Sequence, residues 1–186
     1  CAQRLIGEEP FAVMLGDEII DAPVPGLAQL IHAYKKRKGA ILGVQEVSHQ
    51  DVNRYGIVSS RAIAAGLHRV DDLVEKPAPE KAPSNLAVIG RYVLPPEIFS
   101  ILRKTRPGKN GEIQLTDALQ ELAKKSKMYA LEVQGQRYDA GDKLGFLIAT
   151  VEFALKNPSL GPDFADYLQH RIRPSGGRRT TRSRKG

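Results

Sequence analysis

Residues 11–21 read FAVMLGDEIID: five apolar residues in a row, then Gly16, Asp17 and Glu18. Such a run fits a strand covered on both faces, as in a parallel sheet, with its carboxyl end opening at the Gly-Asp step. It is the longest unbroken apolar run in the chain, far short of the ~20 residues a membrane-spanning helix needs. Ligands of open α/β sheets gather at the carboxyl ends of strands. Gly16 permits close approach there, and Asp17 either caps the loop or holds a hard cation such as Mg²⁺ through oxygen.

Downstream, Leu27, Leu30, Ile31 and Tyr34 fall at i, i+3, i+4 and i+7, followed by Lys35, Lys36 and Arg37 and then Gly39 as a stop. Leu115, Ala118, Leu119 and Leu122 repeat the helical spacing, as do Leu144, Leu147, Ile148, Val151 and Leu155, with Asp142 as the N-cap of the latter. A shorter helix is expected over 95–104. Residues 40–44 and 86–93 are apolar runs of the same kind as 11–15, and 56–63 and 67–75 flank Ala64-Ala65-Gly66 as two antiparallel strands. Strand, helix, strand order implies a right-handed β-α-β arrangement and the α/β class. No Gly-rich strand-to-helix turn of the phosphate-binding kind occurs, so the sheet reads as beginning partway through. Glu112 is expected in the first turn of the helix that carries Leu115, where the dipole accounts for an acid.

Length, 186 residues, suits one domain plus a tail. One cysteine excludes an internal disulfide framework and suits a reducing compartment such as the cytoplasm. The net charge of +7 sits in residues 169–186, which hold seven Arg and Lys and no acid; without those seven the chain balances at 21 basic and 21 acidic residues. The expected organisation is a domain over 1–168 and a basic, disordered tail over 169–186. A neutral body argues against nucleic acid as a partner, beyond nonspecific contact through that tail. Four histidines, at 32, 49, 68 and 170, lack metal-ligand spacing.

Three further groups carry possible chemistry. Glu75 and Lys76 precede Pro77; on a strand they point to opposite faces and do not pair. They are either a solvated strand end or an acceptor for sugar hydroxyls beside a point charge for a phosphate. Gly56 opens a strand, as a turn or to clear space for a ligand. In RYDAGDK (137–143), Asp142 is a cap, and Asp139 is the freer carboxylate, able to face the same site as Asp17.

In series, LGDEIID, DVNRYGIV, DLVEKP, APSNLAVIGRYVL, GEIQLTDAL and RYDAGDK resemble the bacterial UTP–glucose-1-phosphate uridylyltransferases, or UDP-glucose pyrophosphorylases, over roughly residues 1–168. The resemblance implies a nucleotidyltransferase-type, Rossmann-like mixed sheet flanked by helices, and formation of UDP-glucose and pyrophosphate from UTP and α-D-glucose 1-phosphate with Mg²⁺. By position, Asp17 would bind the metal, with Asp139 as a second candidate; Gly56 and Glu75 would contact glucose, and Lys76 the sugar phosphate, which makes Asp17 and Lys76 the catalytic pair. Glu18 stands where many relatives have a second Asp. The resemblance also implies a homo-oligomer when complete, at work in the cytoplasm and without a membrane partner. The family's opening Gly-rich loop with its Arg, and the Pro-Lys segment that bind the nucleotide, have no counterpart here. The chain therefore resembles the C-terminal part of such an enzyme, without its N-terminal nucleotide-binding strands. The alternatives are an inactive sugar-phosphate-binding fragment and a related sugar-1-phosphate nucleotidyltransferase.

Overall fold

Alternate burial marks the first strand, β1 (Phe11–Met14): Phe11 and Val13 pack on the core while Ala12 and Met14 are exposed. The run at 11–15 is thus covered on one face, not two. The computed structural model that shows this describes residues 2–108 and 111–172. The chain divides into two units, Cys1–Arg137 and Tyr138–Gly186.

In the first unit the elements are α1 (Gln3–Ile6), β1, β2 (Glu18–Asp21), α2 (Gly26–Arg37), β3 (Ala40–Glu46), β4 (Gly56–Ala64), β5 (Leu67–Glu75), β6 (Leu86–Leu94), α3 (Glu97–Leu102), α4 (Leu115–Lys125) and β7 (Met128–Glu132). Six strands form a mixed sheet in the order β1-β6-β3-β7-β5-β4, and β4 also meets β6 at Ile57↔Ala87. Alternation along β3 explains the layering. Ala40, Leu42 and Val44 enter the cluster that holds Ile98 and Ile101 of α3 and Ala118, Leu119 and Leu122 of α4. Ile41 turns to the other cluster, with Leu30 and Ala33 of α2. Helices therefore cover both faces of the central strands.

That double cover is why residues 40–44 and 86–93 are apolar throughout, but it does not fix strand direction. β3 is parallel only to β7; β6 runs antiparallel to β1, β3 and β4. The sheet is thus the mixed one that the resemblance implied, and only the parallel pairing suggested by the apolar runs gives way: such a run reports burial, whatever the direction of the neighbour. Because β1 and β3 are both antiparallel to β6, they run the same way with β6 between them, joined through α2. The hairpin expected around Ala65-Gly66 is β4–β5, paired from Ala64↔Leu67 to Gly56↔Glu75.

Several boundaries move. The left-handed residue that closes α2 is Lys38, whose N–H reaches Tyr34 O at 2.8 Å, one residue before Gly39. α3 is two residues shorter at each end than 95–104, beginning after the Pro95-Pro96 pair, whose nitrogens cannot donate. Glu112 lies outside α4, its carbonyl accepting from Gly108 N at 2.8 Å, and the acid of the first turn is Asp117.

β8 (Gln136–Asp139) leads out of the first unit. In the second unit, Asp142 caps α5 (Lys143–Lys156) as expected, its Oδ2 accepting from Gly145 N at 2.9 Å. α6 (Gly161–Ile172) was not anticipated. It runs four residues into the segment that composition marks as tail, because Pro162 and Asp163 open a helix that stacks Phe164 on Tyr167 with ring centroids 6.3 Å apart. The rest of the tail, 173–186, lies outside the described residues.

Candidate active site

Pairing of β4 with β5 sets Gly56 opposite Glu75. Thr116, in the first turn of α4, donates from Oγ1 to Glu75 Oε2 at 2.6 Å. A Cβ added to Gly56 would stand 3.1 Å from that Thr116 oxygen and 3.2 Å from Glu75 Oε2, so a side chain at this buried position would crowd both. Gly56 and Glu75, singled out separately in the sequence, form one corner with Thr116.

Lys76 corrects an expectation. It leaves strand geometry with φ 44°, and its Nζ turns back to within 3.8 Å of Glu75 Oε1. A left-handed residue ends the alternation on which opposite faces depended. The Lys76 side chain is still 60% exposed, while Glu75 is 24% exposed. The Lys76 backbone N–H binds Tyr55 O at 2.9 Å.

Tyr55 links this corner to the turn after β1. The Arg137 guanidinium lies over the Tyr55 ring, 4.8 Å from its centroid, and donates through Nε and Nη2 to both oxygens of Glu18 at 2.6 and 2.5 Å. Each partner's side chain is 11% exposed. Burial works against the Arg137 charge, and the hydrogen bonds to Glu18 and Tyr55 outweigh it, so its pKa is raised. Tyr92 of β6 is pushed up to about 12, first by burial and then by the Glu75 and Glu18 carboxylates. Glu18 and Glu75 thus act on the same buried phenol from β2 and β5.

Asp17 is exposed in the turn between β1 and β2, directly before Glu18. A continuous set of contacts therefore runs from the Asp17 turn through Glu18, Arg137 and Tyr55 to Lys76, Glu75, Thr116 and Gly56. Asp139, in the second unit, is not the freer carboxylate that the sequence suggested: its Oδ1 accepts from Gly141 N at 3.1 Å and Asp142 N at 3.2 Å. A short Asp-x-Gly-Asp step brings those amides round, so Asp139 orders the turn that Asp142 then caps.

Sequence reasoning passed over Thr116, Tyr55, Arg137 and Arg91. Only Arg91 carried a local signal, as a charge inside the apolar stretch VIGRYVL. A cavity of about 760 Å³ beside α2, lined by Val24, Gln29, His32 and Glu132 among others, contains none of the residues above.

Among the described residues no group of three or more His, Cys, Asp and Glu side chains could hold a metal. Mg²⁺, however, is commonly bound through one or two carboxylates completed by substrate phosphates and water. An exposed Asp17 beside a Glu18 already committed to Arg137 fits a site of that open kind.

The chain belongs to the nucleotidyl transferase family, whose model matches residues 1–154. It is 45% identical to the UTP–glucose-1-phosphate uridylyltransferase of Bacillus subtilis over 169 residues, 91% of this chain and 58% of that protein. Among solved structures it is similar to a UDP-glucose pyrophosphorylase complexed with UDP-glucose, with TM-score 0.80 and 43% identity over 84% of this chain and 60% of that one. A UTP-bound pyrophosphorylase from Acinetobacter baumannii gives TM-score 0.81 and 36% identity over 91% and 59%. The chain spans about 58% of the length of the curated relatives it matches.

Proposed function

We propose that this chain provides the sugar-phosphate and metal-binding part of a uridylyltransferase, which forms UDP-glucose and pyrophosphate from UTP and α-D-glucose 1-phosphate. The observation that carries the reading is the contact set that ties Gly56, Glu75 and Lys76, three positions matching one family's motifs, to Glu18 in the turn that carries the fourth, Asp17. By the same resemblance, the protein works in the cytoplasm as a homo-oligomer.

The reaction joins two anions: a phosphate oxygen of the sugar phosphate forms a bond to the α-phosphorus of UTP as the bond to pyrophosphate breaks. The sugar phosphate is ionised at neutral pH, so orientation and charge set the barrier, and no general base is needed. Glu75 has one oxygen occupied by Thr116 and the other available to a sugar hydroxyl, with Gly56 leaving room for the ring. Lys76 offers its exposed ammonium to the phosphate. Asp17 would hold Mg²⁺, which when bound would screen the phosphate charges.

Calorimetry of the 186-residue chain with glucose 1-phosphate, with and without Mg²⁺, tests the reading. Binding that requires Mg²⁺ and falls at least tenfold in Lys76→Ala is expected; equal binding by parent and variant refutes the Lys76 role. Pyrophosphate release on adding UTP to the same samples separates turnover from binding alone.

A further inference from the structure

Arg91 is the buried charged residue of the described core, 6% exposed, and its guanidinium is spent on the main chain. One terminal nitrogen donates to Leu15 O at 2.9 Å and Gly90 O at 3.1 Å; the other donates to Glu18 O. Leu15 and Glu18 bracket Gly16 and Asp17. The arginine therefore spans the turn from beneath, fixing the carbonyls on both sides of the proposed metal carboxylate without touching that carboxylate itself. Arg137 holds the Glu18 side chain, so between them the two arginines fix the backbone and the side chain that follow Asp17.

The strand that carries Arg91 is built to aim it. Register between β3 and β6 shifts between Leu42↔Tyr92 and Val44↔Val88, so Gly43 alone faces Ile89, Gly90 and Arg91. Gly90 has φ +62°, and a Cβ there would stand 3.0 Å from three Leu15 side-chain atoms. A Cβ on Gly43 would stand 3.1 Å from Arg91 Cβ. Bulges of this kind recur beside active sites, where they re-aim a side chain. Leu15 N in turn donates to Gly90 O at 3.0 Å, closing the turn onto the bulge.

We infer that Arg91 is a positioning residue: with the Gly90 bulge it sets the geometry of the Gly16–Asp17 turn and so tunes divalent-cation binding by Asp17. The inference rests on the proposed metal role of Asp17. A lysine cannot replace it, because one ammonium on a flexible stem does not present the guanidinium's planar fork to three carbonyls.

The test is Mn²⁺ titration of the 186-residue chain in the presence of glucose 1-phosphate, read by the electron paramagnetic resonance of the free ion. The proteins compared are the parent, Arg91→Lys, Gly90→Ala, Asp17→Asn and Arg91→Lys/Asp17→Asn. Supporting groups around metal ligands are typically worth about 10–100-fold in affinity, and that loss is expected for Arg91→Lys. Gly90→Ala, which strains the bulge and keeps the cation, is expected to weaken Mn²⁺ in the same direction, and it carries the test if Arg91→Lys fails to fold. Because Arg91 acts through Asp17, the double variant is expected to bind no more weakly than Asp17→Asn. Affinity lost in Asp17→Asn but kept in Arg91→Lys and Gly90→Ala, or losses that multiply in the double variant, overturn the positioning role. Affinity unchanged in Asp17→Asn overturns the metal reading beneath it.

Discussion

Gly56→Ala adds one methyl group at the corner where the hexose is proposed to sit. Its Cβ would lie 3.1 Å from Thr116 Oγ1, 3.2 Å from Glu75 Oε2 and 3.5 Å from Thr116 Cγ2. The backbone of Thr116 is held in place, since α4 is anchored in the core by Ala118, Leu119 and Leu122. Glu75 therefore gives way, and the 2.6 Å bond between them is lengthened or lost. A hydrogen bond to a charged acceptor is worth about 1.5–3 kcal/mol, while replacing glycine returns about 0.4–1 kcal/mol through the unfolded chain. A net loss of about 1–2 kcal/mol follows, measurable by urea denaturation of the 186-residue chain. Thr116→Val removes the same bond without filling the corner. If the methyl acts through that bond, Gly56→Ala in the Thr116→Val background costs less than it does in the parent, by at least about 0.5 kcal/mol. Glucose 1-phosphate binding should fall further in Gly56→Ala than in Thr116→Val, because only the former occupies the space. Parental stability and parental sugar-phosphate binding in Gly56→Ala would refute the close-packed corner.

Glu18→Gln leaves the Arg137 charge buried without its carboxylate, and the cost is expected at about 3 kcal/mol by the same denaturation, the low end for breaking a buried pair; a loss below about 1 kcal/mol would show the pair to be dispensable. Tyr92 ionises near 10.0 when unfolded and at about 12 in the fold. Between those values the unfolded chain has lost a proton that the folded chain keeps, so this contribution is intact below pH 10 and lost as pH rises through 12. It amounts to about 2–3 kcal/mol, and the difference in stability between parent and Tyr92→Phe should shift by that amount over the window. Asp142→Ala removes the cap that Gly145 N uses, at a cost of about 1 kcal/mol, seen as a lower midpoint in the thermal loss of helical ellipticity.

Elements with a long period or a turn signal were legible in the sequence. α2, α4 and α5 follow from apolar spacing, and the hairpin follows from Ala65-Gly66. Even the pairing of Gly56 with Glu75 can be counted outward from Ala64↔Leu67, because the two register irregularities between them cancel. β7 was not legible: five residues, Met128–Glu132, are too short for a period, and only the flanks supplied by β3 and β5 make them a strand. Strand direction was hidden because helices on both faces produce the same apolar run either way. The turn of Lys76 was hidden because a lysine gives no sign of a positive φ. Thr116 and Arg137 lie 41 residues from Glu75 and 119 from Glu18, so their roles belong to tertiary structure alone.

Two carboxylates follow one another where the turn after β1 enters β2, and their surroundings differ. Glu18, with its side chain 11% exposed, is matched by a two-pronged guanidinium contact. Asp17 beside it is exposed. Were both uncompensated, they would repel each other and each would disfavour the other's charge; with Glu18 balanced, the turn carries the charge of one carboxylate. On the proposed reading, a divalent ion held by so little negative charge would draw its remaining oxygens from water and the substrate phosphates. Lys76 is poised in the same way. Its contact with Glu75 is long, at 3.8 Å, and largely in solvent, where an ion pair is weak enough to be exchanged for a phosphate. The other oxygen of Glu75 stays fixed by Thr116 during that exchange. The strong contacts among these residues are thus internal, and on the proposed reading the exposed groups are left for the ligands, Lys76 for a phosphate and Asp17 for a divalent ion.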